Sequence, residues 1–212
     1  PAPASAMIST GLVNAGFLAI FRIYRLFSTT DVFPWVKNVM LIIGLLSLVV
    51  GALFLRRTNN YKRFLSYSTV ENMGIVAIGL GIGGLGVWAA LFHVVCHTFI
   101  KSSLFLQIAI VRQIYNGYRI NRIGDYININ KVGAIGLLLG MIAVLAFPPS
   151  PLFISELMIM MEALTLKGWW VVAIMVLLIC IVIFTICYRM IKLCYQSNQD
   201  ELHLSNINRR LS

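Results

Sequence analysis

His93, His97 and Lys101 recur at i, i+4 and i+8 inside the run Ala89-Ala90-Leu91-Phe92-His93-Val94-Val95-Cys96-His97-Thr98-Phe99-Ile100-Lys101-Ser102-Ser103-Leu104-Phe105-Leu106. On a helix this spacing sets all three on one stripe. Their neighbours are those of a membrane-crossing segment. An ionisable side chain at membrane depth is costly, so its presence there points to function, a proton path above all. Imidazole titrates near neutrality and can relay a proton. A lysine whose charge is moved by a neighbouring carboxylate can act as a switch. Glu71, Glu156 and Glu162 stand in other apolar runs and are the candidate carboxylates. Burial favours the neutral forms of acid and amine, and mutual pairing opposes this. A set of acid, imidazole, amine and acid can therefore hold a proton in several arrangements of similar energy.

Each group also has a plainer reading. Lys101 and Glu71 can form a structural ion pair between two helices. His93 can be an interhelical hydrogen-bond donor, and Ser9 and Asn14 can serve helix packing. Glu162 can be an interfacial residue. Two histidines at i, i+4 suit a metal, but no third ligand has a fitting spacing and Lys101 one turn away repels a cation. No metal or cofactor is expected. The four cysteines, Cys96, Cys180, Cys187 and Cys194, read as small apolar side chains. Gly79-Leu80-Gly81-Ile82-Gly83-Gly84 fits G-x-G-x-x-G, yet it ends one apolar helix and turns into the next, without the strand a dinucleotide loop requires. No nucleophile–base pair, cluster-ligand set or phosphate loop stands in context, so no catalytic site is expected in this chain.

The elements that must position these groups follow from composition. Of 212 residues 59% are hydrophobic and 11% charged, and the mean hydropathy is +0.88. A soluble domain could not cover so much apolar surface, so the fold class is an all-α polytopic membrane protein. Six spans are expected, over 4–24, 36–55, 65–82, 87–114, 132–164 and 169–193, with a polar tail over 195–212. The fifth is too long for one helix and is broken at Phe147-Pro148-Pro149-Ser150-Pro151, because proline cannot continue the hydrogen-bond ladder. Broken helices persist in membranes where protein or a water-filled cavity covers the freed backbone, and they often mark ion sites. No signal peptide opens the chain, and Pro1-Ala2-Pro3 reads as a loop running into a helix.

The net charge of +10 would suggest nucleic acid in a soluble chain. Here the basic residues flank apolar spans and set topology instead. Arg56, Arg57, Lys62, Arg63, Arg112, Arg119, Arg122, Lys131, Arg189, Lys192, Arg209 and Arg210 fall on one side; Arg22, Arg25, Lys37 and Lys167 fall on the other. The richer side, with both ends of the segment, is expected to be cytoplasmic. A rise of about 1.5 Å per residue puts Glu71, His97 and Lys101 roughly 18, 16 and 22 Å from the turn near Gly83. Glu156 lies about 15 Å, and Glu162 about 6 Å, from the same membrane face. Four of the groups thus share a layer near the bilayer middle.

At these residues the chain resembles the antiporter-like subunits of respiratory complex I, multisubunit sodium/proton antiporters and group 4 NiFe hydrogenases. Pro1-Ala2-Pro3-Ala4-Ser5-Ala6 is similar to the P-x-P-x-S-A at the start of the family's eighth helix. Tyr61-Lys62-Arg63-Phe64-Leu65-Ser66-Tyr67-Ser68-Thr69 resembles the D-x-K-R-x-L-A-Y-S-T run before helix ten. The stretch from Leu91 to Lys101 resembles L-F-H-x-x-x-H-x-x-x-K of helix eleven. Phe147-Pro148-Pro149 through Glu156 resembles P-P-x-x-x-F-x-S-K/E of broken helix twelve. Ser68-Thr69-Val70-Glu71-Asn72-Met73-Gly74 and Ser155-Glu156-Leu157-Met158-Ile159 resemble the hydrogenase branch, hydrogenase-4 component F in particular. Asn60 departs from the acidic residue usual before the Lys-Arg pair, and Ser9 stands where some members carry histidine.

The resemblance implies the second inverted repeat of a longer proton-translocating subunit, within a complex whose redox partner supplies the energy. The partners implied are other membrane subunits and a peripheral hydrogenase or dehydrogenase arm, in a bacterial or archaeal cytoplasmic membrane. Lys101 would be the central relay, with His97 and His93 connecting it laterally or toward one surface. Glu156 on the broken helix would be the terminal carrier leading to the non-cytoplasmic side, and Glu71 would tune Lys101 or receive its proton. Two other readings stand beside this one: a cation/proton antiporter not tied to redox chemistry, and a structural membrane anchor.

Overall fold

The computed structural model describes residues 7–120 and 123–195, and these are almost entirely helical. The Pro1–Ala6 run, Arg122 and the polar tail with Arg209 and Arg210 lie outside the described residues. A π-helical turn over Ile8–Leu12 leads into α1 (Val13–Phe27). It is followed by α2 (Phe33–Arg57), α3 (Tyr61–Ile82) and α4 (Leu85–Tyr115). A short α5 (Tyr126–Ile129) precedes α6 (Lys131–Val144), α7 (Pro151–Leu166) and α8 (Trp169–Tyr195). Helices α2, α4 and α8 are each long and apolar enough to cross a bilayer by length and composition. The chain is a polytopic all-helical membrane protein, and the fifth span is divided at the proline cluster into α6 and α7.

Local chemistry sets the helix ends. The expectation for the third span began at residue 65, where the apolar run starts. The helix begins at Tyr61, because the Asn60 side chain accepts from Lys62 N at 3.0 Å and Arg63 N at 3.4 Å. Such a cap satisfies donors that an apolar run cannot. Gly83 (φ 86°) and Gly84 (φ 53°) make the turn from α3 to α4. These two glycines close the G-x-G-x-x-G run, and among the described residues only an isolated Asn60–Arg119 bridge has strand character. Pro151 opens α7, where a missing N–H costs nothing, and Ser150 Oγ caps it by accepting from Phe153 N at 3.3 Å. Across the break, Leu145 N donates to Met141 O (3.0 Å), Ala146 N to Ala143 O (3.3 Å), Phe147 N to Ile142 O (3.3 Å) and Ser150 N to Phe147 O (2.8 Å).

The packing inverts that of a soluble domain. Phe99, Phe184, Trp88 and Trp169 are exposed on the outside, while Glu71, Asn72, His93, His97, Lys101 and Glu156 are buried. Helix α4 is central and packs against α3, α6 and α7. Helices α2 and α3 approach closely through glycine: a Cβ on Gly44 would lie 2.7 Å from Gly74 O, and one on Gly51 would lie 2.7 Å from Glu71 Cβ. Polar contacts dock the first span, with Asn14 Nδ2 donating to Thr98 Oγ1 at 2.6 Å and Ser9 Oγ lying 3.4 Å from Thr69 Oγ1. At the end of the molecule where α2 and α8 finish and α3 begins, Arg189 Nη2 donates to Arg56 O at 2.9 Å. At the opposite end Lys167 Nζ donates to Asn38 Oδ1 at 2.9 Å.

Candidate functional site

The stripe on α4 points inward, with His93 and Lys101 at 0% and His97 at 1% exposure. Helices α3 and α7 face it. Lys101 Nζ donates to Leu65 O at 2.9 Å and to the Ser68 hydroxyl. The Lys101 nitrogen is thus held by a helix carbonyl and a hydroxyl of α3. That arrangement differs from a direct ion pair.

Glu71 leads to His93 through a neutral intermediary. Asn72 Nδ2 donates to Glu71 Oε2 at 2.6 Å and to Ser68 O at 2.8 Å. Both partners are acceptors, so Asn72 Oδ1 faces His93 Nε2, 3.2 Å away. An amide oxygen only accepts, so Nε2 carries a hydrogen. The other ring nitrogen, Nδ1, lies 2.9 Å from Ser155 Oγ on α7. Ser155 Oγ is also 2.8 Å from Leu152 O. A hydroxyl has one hydrogen to give. When it goes to Nδ1, His93 is the neutral imidazole. When it turns to Leu152 O, the oxygen can accept from an Nδ1–H and His93 is imidazolium. The surroundings fit both protonation states through one hydroxyl rotation.

The remaining groups divide. His97 stacks with His93 at a ring-centroid distance of 6.3 Å, and its buried Nε2 has no hydrogen-bond partner among the described residues. Glu156 is buried at 7% exposure on α7, within electrostatic reach of Glu71. Glu162 does not join them. It is half-buried near the other end of α7, and its Oε1 accepts from Leu85 N at 3.2 Å. An acid at a helix N-terminus satisfies free N–H groups and complements the helix dipole. No cluster of three or more metal-ligating side chains occurs among the described residues.

The profile of the NADH:quinone oxidoreductase/Mrp antiporter transmembrane family matches residues 1–182. The chain belongs to this family. The hydrogenase-4 component F homolog of Methylacidiphilum infernorum is 32% identical over 164 residues, covering 77% of this chain and 34% of the relative. Formate hydrogenlyase subunit 3 of Escherichia coli strain K12 is 32% identical over 168 residues, covering 73% of this chain and 27% of the relative. A chain of an archaeal membrane-bound sulfane sulfur reductase superimposes with a TM-score of 0.83 at 25% identity, over 93% of this chain and 41% of that one. This antiporter-family chain therefore spans about a third of the curated relatives it matches.

The sequence of this antiporter-family chain marks the ionisable members of the candidate site by their type, whereas Ser68, Asn72 and Ser155 stand in it only as motif positions without a role. Ser68, Asn72 and Ser155 make the hydrogen bonds that tie Lys101, Glu71 and His93 together. A neutral side chain in an apolar helix carries no strong signal, because serine and asparagine occur there for packing as well. One signal was available: Asn72 follows Glu71 directly, and Ser155 precedes Glu156 directly.

Proposed function

We propose that this chain is a proton-translocating antiporter-like half of a redox-driven membrane complex of the hydrogenase-4 or formate hydrogenlyase kind. The observation that carries the reading is the interior bonded line Glu71–Asn72–His93–Ser155, with Lys101 and Glu156 buried on the helices that form it. An anchor has no use for so many desolvated polar groups. Lys101 is the central relay: protonated, it is held by Leu65 O and Ser68, and a shift of charge at Glu71 changes how firmly it keeps its proton. His93 and His97, stacked one turn apart on α4, carry the lateral step. Glu156, on the second half of the broken span, passes the proton toward the face opposite the basic end. Glu162 holds the α3–α4 corner and stands outside the path.

The partners in this reading are neighbouring membrane subunits and a peripheral hydrogenase or dehydrogenase arm. The membrane is a bacterial or archaeal cytoplasmic membrane, with the basic end of the bundle facing the cytoplasm. The second reading is a cation/proton antiporter without redox coupling, favoured by the Mrp members within the matching family. Lys101→Ala in the intact complex, reconstituted into sealed vesicles, is expected to abolish coupled proton transfer while all subunits remain assembled. Full pumping by that variant would remove Lys101 from the path. Proton uptake driven by a sodium or potassium gradient, without any redox substrate, would favour the second reading.

A further inference from the structure

The basic end of the bundle carries a cavity of about 720 Å³ that the proton row does not use. It opens between the α2–α3 corner and the loop after α4. Arg57, Arg63 and Arg119 line it, together with Phe54 and Tyr67, and none of its lining residues is acidic. Arg119 is far from the others in sequence and is brought in by backbone pairing. Tyr61 N donates to Tyr118 O at 3.0 Å, and Ile120 N donates to Asn59 O at 3.1 Å. The Arg112 guanidinium lies over the Tyr118 ring at 5.3 Å and braces the same loop. Among the described residues no hydrogen bond or ion pair engages the guanidinium groups of Arg57, Arg63 or Arg119. Three cations are therefore gathered around one space with no acidic side chain among the described residues that line it.

The other wall is apolar. Phe54 and Tyr67 stack with ring centroids 5.1 Å apart and 19° between planes, and Phe54 is 46% exposed. The cavity thus joins a cationic part, at the level where the spans end, to an aromatic part that faces the bilayer. Guanidinium forks match phosphate oxygens in geometry and charge. Basic pockets between membrane helices suit anionic headgroups. We propose that this cavity binds one anionic phospholipid, its phosphate held by Arg57, Arg63 and Arg119 and the root of its acyl chains lying along Phe54 and Tyr67. A zwitterionic lipid is disfavoured, because its ammonium would enter the same cationic space.

The test is a lipid titration of the purified intact complex read by native mass spectrometry, with phosphatidylglycerol and phosphatidylcholine compared. Phosphatidylglycerol is expected to bind more tightly. Each single Arg→Gln change should weaken it about fivefold, and R57Q/R63Q/R119Q roughly a hundredfold. R57K/R63K/R119K, which keeps the charge, should retain most of the binding, so a folding defect in the glutamine variant cannot pass for a lost site. Equal binding of the two lipids overturns the proposal, as does phosphatidylglycerol binding that R57Q/R63Q/R119Q leaves unchanged. Displacement of the lipid by millimolar inorganic phosphate would mark a free-anion site. Release of a neighbouring subunit from R57Q/R63Q/R119Q, with lipid retained, would mark an acidic protein surface. Either result rejects a lipid.

Discussion

Asn72 is hydrogen-bonded to both Glu71 and His93, so removing it takes a partner from two ionisable groups at once. Asn72→Leu leaves Glu71 Oε2 and His93 Nε2 without that partner, and an unsatisfied buried polar group costs about 1–3 kcal/mol. The expected outcome is lower thermal stability of the assembled complex and slower proton transfer, read with a pH-sensitive dye in vesicles. Unchanged transfer would place the path elsewhere. Ser155→Ala deletes the hydroxyl that matches the two protonation states of His93. It is expected to slow proton transfer with little change in assembly, since the surrounding apolar contacts remain. At this scale the sequence was legible where desolvation is costly. His93, His97, Lys101, Glu71 and Glu156 stand out against apolar neighbours, and all five are buried. Glu162 lay in a similar run, but its depth near the end of a span foreshadowed its place at the α4 N-terminus.

Helix α2 contributes no charged group to the row, yet it sets where Glu71 sits. Gly51 leaves room for the Glu71 Cβ, and a side chain at Gly51 would have to displace it. Gly51→Val is therefore expected to push α3 away from α2, with an overpacking cost of about 1–3 kcal/mol. Loss of proton transfer together with a lowered melting temperature would bear this out; wild-type behaviour would mean that α2 can recede freely. Glu162→Gln keeps an acceptor for Leu85 N and removes only the charge at the helix terminus, worth roughly 0.3–1 kcal/mol. Proton transfer should persist in that variant, and its loss would return Glu162 to the path. Spans were readable from hydropathy in α2, α4 and α8, and the break from Pro148, Pro149 and Pro151. The start of α3 was not, because Asn60 caps the helix ahead of its apolar run. Nor was the approach of Arg119 to the α2–α3 corner, which depends on backbone pairing across distant sequence.

The whole bundle sorts its chemistry by depth, with an arginine-lined cavity at one end, the titratable row inside and apolar side chains around the outside. If it served only as an anchor, neutralising the row would leave ion coupling intact. Lys101→Ala combined with Glu156→Gln is expected to abolish coupling in the assembled complex, measured as proton uptake per turnover of the redox partner; normal coupling would favour the anchor. Fold class was legible from composition alone, whereas the bonded order within the row needed three helices to meet. The break between α6 and α7 bears on which ions such a bundle can host. From Leu145 to Pro151 every backbone N–H is either bonded within the segment or, at the three prolines, missing. The backbone of the segment has used its donors, and what it presents is carbonyl oxygens and the Ser150 hydroxyl. Carbonyl oxygens turned toward water can accept from a hydronium, which gives the break a chemistry that a continuous helix lacks.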